Sequence, residues 1–362
     1  MRLTFYKGQH LSEYQHLPGL RKFGAYFDIY GREVTPIDRT NVLKLPVSTK
    51  SLFPLPKMRE FTKSYEDVCN KRAQELLKRA DKLDTRLFAL WSGGVDSTCL
   101  LVSLLKNATP AQKERIVVLL SEDSIIEYPA FYYAYIRGKL RRESATMFPH
   151  VLGTKNLIVN GEHNDQLFGS DIIAEVINRF GFEAVREPYE RKLLGCFFEE
   201  NMRGDTDTAL LYLTLFERLR ESAPIPLKTN YDVFWWINFA TKWQCVYMRM
   251  LSFVADRNAG NLSEQYLQDY YAPFYNTEAF QLWSMNNVEQ RVRDSWRSYK
   301  WPAKKVIYEF TKDMDYYQNK TKRGSLQFLI PQHVQRKFID ENFVCYDELE
   351  PESFYEKEND FV

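Results

Sequence analysis

The sequence predicts an α/β protein, a doubly wound parallel sheet joined to a largely α-helical C-terminal region. Three observations carry this. The stretches 87–91, 116–120 and 157–160 are short, unbroken apolar runs, the pattern of strands buried on both faces. Helical patterns separate them, at 98–106 after the first run and at 128–142 between the second and third, which gives strand-helix-strand alternation. Beyond Asp171, apolar residues recur at helical spacing through 172–180, 207–220, 232–253 and 278–297.

Each stretch has its own warrant. Residues 1–60 carry Pro18-Gly19, Gly24, Gly31, Pro36, Pro46, Pro54 and Pro56, a density of turn residues that predicts short strands or irregular chain. From 61 to 82, Val68, Ala73, Leu76 and Leu77 are spaced along one helix face among charges. The span 61–171 therefore forms the α/β core. Residues 172–345 form the helical region, and its run 233–237, with Trp235 and Trp236, reads as core. The acidic tail 346–362 reads as loosely ordered.

Composition narrows the function. A formal charge of +1 over 362 residues gives no support for nucleic acid as the main partner. The basic cluster Arg137, Lys139, Arg141 and Arg142 is a local exception, suited to gripping phosphate or a nucleic-acid backbone, or to simple solvation. No segment approaches the length of a membrane-spanning helix and the first residues lack a secretory apolar stretch, so a soluble, cytoplasmic chain without a membrane partner is expected. The five cysteines form no CxxC pair and the histidines no HExxH, so neither a disulfide framework nor a transition-metal site is expected.

Ser92-Gly93-Gly94-Val95-Asp96-Ser97-Thr98 lies directly after the first predicted strand and opens the following helix, where open α/β sheets bind ligands. The glycines allow a tight turn and close approach to a phosphate. The hydroxyls of Ser92, Ser97 and Thr98 offer hydrogen bonds, and the helix start adds unpaired amides. Asp96 is discordant, because a carboxylate beside a polyphosphate is repelled unless a divalent cation lies between them, which predicts Mg2+. The ordinary alternative is a strand-to-helix turn with Asp96 as a cap. A second acidic motif, Asn160-Gly161-Glu162-His163-Asn164-Asp165, follows the third strand. Glu162 and Asp165 can divide labour there, one holding metal and the other taking a proton from a substrate amine, or they can simply cap the next helix. Glu122, Asp123 and Glu127, after the second strand, are further candidates.

Ser92-Gly93-Gly94-Val95-Asp96-Ser97-Thr98 resembles the PP-loop of the ATP pyrophosphatases. The second motif, matching at Gly161, Glu162, Asp165, Phe168 and Gly169, resembles the corresponding stretch of asparagine synthetases and β-lactam synthetases. Pro273-Phe274-Tyr275-Asn276 is similar to their Pro-Phe-Leu-Asp element, Lys304-Lys305-Val306-Ile307-Tyr308 to their Lys-x-hydrophobic-hydrophobic-Arg helix, and Lys322-Arg323-Gly324 to a later Lys-x-Gly loop. Departures fall at His163, Asn164, Gln166, Ser170, Asn276 and Tyr308.

The resemblance implies a Rossmann-like fold of the adenine nucleotide α-hydrolase type, with ATP cleaved between its α- and β-phosphates. It implies nucleotide binding by Ser92, Gly93, Gly94, Asp96, Ser97 and Thr98, and Mg2+ held by Asp96 and Asp165. Glu162, Lys304 and Lys322 would be the catalytic residues, with Lys305 as an alternative to Lys304. The expected enzyme is an AMP-forming C–N ligase that adenylates a carboxylate and then accepts an amine or ammonia. Residue 2 is Arg and the first 60 to 85 residues are too few for a glutaminase domain, so nitrogen is expected free, from a separate amidase subunit, or from an amine substrate. The alternatives are a PP-loop enzyme acting on a nucleotide or tRNA base, and a non-catalytic ATP-binding protein.

Overall fold

The computed structural model describes residues 1–30, 35–321 and 335–362. They include seven strands, β1 (Leu3–Tyr6), β2 (Leu87–Leu90), β3 (Ile116–Leu120), β4 (Arg141–Ser144), β5 (Leu157–Val159), β6 (Phe338–Asp340) and β7 (Cys345–Tyr346). Six of the helices are α1 (Leu20–Tyr30), α2 (Tyr65–Lys82), α3 (Val95–Asn107), α4 (Asn230–Thr241), α5 (Trp301–Thr311) and α6 (Met314–Asn319). Contacts divide the chain discontinuously into two compact units, Glu60–Asn164 with Phe253–Gln335, and Met1–Arg59 with Asp165–Ser252 and Arg336–Val362. Chain segments far apart in sequence thus close on the same unit.

The first unit is built on an all-parallel sheet in the order β4-β3-β2-β5. The apolar runs supply its interior, with Leu87, Ala89, Ile116, Val118, Leu157, Ile158 and Val159 all at 0% exposure. The chain lays down β2, moves outward through β3 and β4, then returns to place β5 on the other side of β2, so strand order reverses between β2 and β5. In open parallel sheets that reversal opens a crevice at the carboxyl ends of the strands. Residues Tyr271 to Phe274 extend the β5 edge: Ile158 bridges Tyr271 in parallel, and the amides of Ala272 and Phe274 donate to Ile158 O and Asn160 O at 2.9 Å each.

The helix expected over 128–142 is corrected. Helical turns end at Ile136, and Arg141–Ser144 forms β4, a fully exposed edge strand. Its residues, Arg-Arg-Glu-Ser, include no apolar side chain, so apolar periodicity carries no trace of it. Helix α2 forms where expected and is fixed at its start by a reciprocal cap, Ser64 Oγ accepting from the Asp67 amide at 3.1 Å and Asp67 accepting from the Ser64 amide at 3.3 Å. Helix α5 packs on α2 and α3.

The second unit holds the antiparallel sheet β1-β6-β7 and most of the later helices. Trp235 and Trp236 of α4 and the nearby Trp243 are fully buried, as a core reading requires. Two expectations are corrected here. The segment 20–30 is the helix α1 rather than strand or irregular chain, because Leu20, Phe23 and Phe27 share one face. The acidic tail is packed: Phe361 is at 0% exposure, its ring 4.9 Å from that of Phe23 and 5.7 Å from that of Tyr212. Two aromatic anchors, Phe354 and Phe361, outweigh the charge around them.

Candidate functional site

The phosphate-loop candidate is placed by the two elements it joins. β2 ends at Leu90, the Trp91 amide still donates to Leu119 O at 2.9 Å, and α3 begins at Val95. Between them Gly93 takes φ +76°, and a Cβ there would stand 2.5 Å from Ser124 O and 2.8 Å from Glu127 Cβ. Only glycine fits. Ser97 braces the turn: its hydroxyl accepts from the Ser92 amide at 3.0 Å and lies 3.0 Å from Ser92 Oγ. Thr98 is turned inward, at 0% exposure, its hydroxyl accepting from the Trp91 indole at 3.0 Å. The serine and threonine hydroxyls therefore shape the loop, and the donors best suited to an anion are the first amides of α3, which lacks a side-chain cap.

Asp96 is the electrostatic centre of this region. Lys300 Nζ lies 2.7 Å from each of its carboxylate oxygens, and Asn164 Nδ2 donates to Oδ1 at 2.7 Å. The Lys300 side chain is 5% exposed and that of Asp96 24%. Asn164 is itself oriented by the Tyr65 hydroxyl, which donates to its Oδ1 at 2.7 Å from the start of α2. The Tyr275 hydroxyl donates to the Asp96 main-chain oxygen at 2.9 Å, and burial holds the Tyr275 phenol well above its ordinary range, so it remains a donor. Lys300 has φ +58°, a left-handed conformation uncommon for a side chain of this kind, directly before α5.

The second acidic motif meets the first through its glycine. Gly161 approaches so closely that a Cβ would lie 3.0 Å from the Ser97 amide nitrogen and 3.1 Å from the Asp96 carbonyl carbon. Glu162 follows, half-buried, its amide donating to Asn160 Oδ1 at 3.1 Å. His163 is buried at φ +79°. Asp165 is half-buried and is the first residue of the other unit, its main-chain oxygen accepting from the Gly169 amide at 2.9 Å. The structure thus brings Gly161 and Asn164 to Asp96.

Of the lysines, Lys304 is 4% exposed and Lys305 is exposed, which separates the two. Lys304 Nζ donates to Arg297 O at 2.8 Å and Lys320 O at 2.7 Å. Burial, reinforced by the nearby Lys300 and Lys320 ammonium groups, pulls it down to about 8. Lys322 lies outside the described residues. Of the acidic candidates after β3, Glu127 reaches the loop and pairs with Lys320, whereas Glu122 and Asp123 are exposed in the first turn of a short helix. The Tyr316 hydroxyl on α6 donates to Gly93 O at 3.2 Å, and its ring stacks on Tyr128 at 3.9 Å.

Lys300, Lys320, Tyr275 and Tyr316 were not singled out from the sequence as site residues. Their shared signal is weak: a lysine or tyrosine contacts the loop from more than 175 positions away, which no local spacing encodes. Among the described residues, no group of three or more His, Cys, Asp or Glu side chains is placed to hold a metal, and no helix is long and apolar enough to cross a membrane. Fold and site together define a class: an α/β protein with a glycine loop after the first strand of a parallel sheet and a lysine-paired carboxylate in the helix that follows. No protein-family model matches the chain, and no curated protein matches it either.

Proposed function

We propose that the chain is an ATP-dependent, AMP-forming C–N ligase of the asparagine-synthetase type, with 92–97 as its nucleotide loop on a doubly wound, Rossmann-like core. The observation that carries this reading is the convergence on Asp96: the loop turns on Gly93, the second motif packs against it through Gly161, and Lys300 and Asn164 grip its carboxylate. A structural turn needs no buried lysine on its capping aspartate.

The residues fit a magnesium nucleotide. The uncapped start of α3 suits a phosphate, and a carboxylate with two oxygens and roughly four acceptor positions can hold a hard cation besides its present partners. With few protein carboxylates grouped there, such a cation would draw its remaining ligands from phosphate oxygens and water, the habit of Mg2+. Mg2+ would neutralise charge on the phosphates.

In this reading a substrate carboxylate oxygen attacks the α-phosphorus of ATP, and the bond to the β-phosphate breaks, releasing pyrophosphate. A nitrogen nucleophile then attacks the acyl carbon, AMP leaves, and Glu162 takes the proton lost by nitrogen. Lys304 and Lys322 supply positive charge where negative charge builds at the α-phosphate.

The test is pyrophosphate release from ATP across a panel of carboxylic acids with ammonia or amines. Release is expected with one acceptor class and is lost in Asp96→Asn, which keeps its circular dichroism. ATP binding without any release across the panel would instead mark a non-catalytic nucleotide binder.

A further inference from the structure

At the other end of the parallel sheet lies a cleft that the proposed chemistry does not use. Its volume is about 320 Å³, and Lys113, Glu114, Lys139, Arg141 and Arg142 line it. Lys113 and Glu114 precede β3, and Arg141 opens β4 opposite Val117 near the start of β3, so the cleft sits at the amino ends of these strands. The phosphate-loop candidate follows the carboxyl end of β2. A four-residue strand spans roughly 13 Å, which keeps the two sites apart.

Four cations and one carboxylate share this cleft in a chain whose formal charge is only +1. None of the four is paired with a carboxylate among the described residues. The neighbouring Arg115, in contrast, is 2.8 Å from Asp84. Two of the four, and Arg137 beside the cleft, lie against aromatic rings. The Arg137 guanidinium is 5.4 Å from the centre of the Tyr133 ring, Lys139 is 5.9 Å from Tyr135, and Arg142 is 5.8 Å from Tyr132, whose hydroxyl it also contacts. Tyr133 is 57% exposed, an unusual position for an aromatic beside an open charged edge. The edge strand itself is exposed along its whole length.

We propose that this face is a docking surface for single-stranded nucleic acid. Unpaired cations around a cleft attract phosphates, and an exposed tyrosine next to arginine offers a platform on which any base can stack. The strand lies along this face only, since the loop is a strand length away. This inference stands apart from the ligase reading, because no residue in it belongs to the proposed nucleotide site.

The experiment is fluorescence anisotropy with the full chain and labelled single-stranded RNA and DNA oligonucleotides, a matching duplex, and vesicles of anionic phospholipid as comparison probes. Binding of a single strand is expected, with RNA and DNA compared to tell which sugar is preferred. Lys139→Glu with Arg141→Glu should weaken it at least tenfold and flatten its salt dependence by ~0.7 in log-log slope for each phosphate no longer neutralised. Tyr133→Ala should weaken it about tenfold with the slope unchanged. Lys113→Glu, outside the edge strand, serves should the double variant fail to fold, and Lys78→Glu on α2 controls for net charge. The proposal is overturned if no single strand binds at 0.1 M salt, if the duplex or the vesicles bind more tightly, or if Lys78→Glu weakens binding as much as the cleft variants. Pyrophosphate release, measured alongside, should be the same in all these variants.

Discussion

At the scale of single residues, Lys304 gives the proposed site a signature in pH. Its ammonium is buried beside two other lysines and donates to two main-chain oxygens, and its pKa falls to about 8 from the ordinary 10.5. A depressed base makes the fold less tolerant of its charged form. That cost is fully present below pH 8 and is relieved as pH rises from 8 toward 10.5, so this group alone favours folding on the alkaline side. Catalysis by its positive charge runs the other way. Pyrophosphate release should fall as pH rises through about 8 while circular dichroism stays constant, and Lys304→Arg should move that limb beyond the accessible range. A rate flat to about pH 9.5 in the unsubstituted chain would remove Lys304 from the chemistry. Residue by residue, the sequence made Gly93, Asp96 and Gly161 legible because a tight turn and a misplaced carboxylate are local facts. It hid Lys300, because a lysine that finds an aspartate 204 positions away leaves no spacing to read. Nor does spacing show that the buried Thr98 hydroxyl accepts from the Trp91 indole.

Among elements, what sequence patterns reveal depends on burial. β2, β3 and β5 were readable because both faces of a central parallel strand must be apolar, whereas β4 has only exposed residues and betrays nothing. α1 was masked by Pro18-Gly19 and Gly24, turn residues that flank or sit within a segment whose Leu20, Phe23 and Phe27 nonetheless form an apolar face. α2 illustrates the stronger signal, a periodic face with a cap. Its first turn also orients the site, since Tyr65 fixes Asn164 and through it Asp96. Removing the cap by Ser64→Ala should cost about 1 kcal/mol of stability in urea denaturation. Because Tyr65 is held by packing against Trp283 and Phe280 as well, nucleotide binding should change little in this variant. A loss of several kcal/mol would mean that α2 carries more of the unit than its packing implies.

For the molecule as a whole, the discontinuous division into two units explains why composition could locate the α/β core but not its closing segments. Residues 253–335 return to the sheet-bearing unit long after it was laid down, and the tail closes the other unit through Phe361. A balanced net charge likewise averages away the cations of the β4 edge. The central claim is that the loop around Asp96 holds a magnesium nucleotide, and calorimetric titration of ATP with and without Mg2+ into the unsubstituted chain and Asp96→Asn tests it most directly. Tight, Mg2+-dependent binding is expected of the former, while the variant loses that dependence and, relieved of like-charge repulsion, binds free ATP at least as well. Equal Mg–ATP affinity in both proteins, or no binding in either, would contradict it.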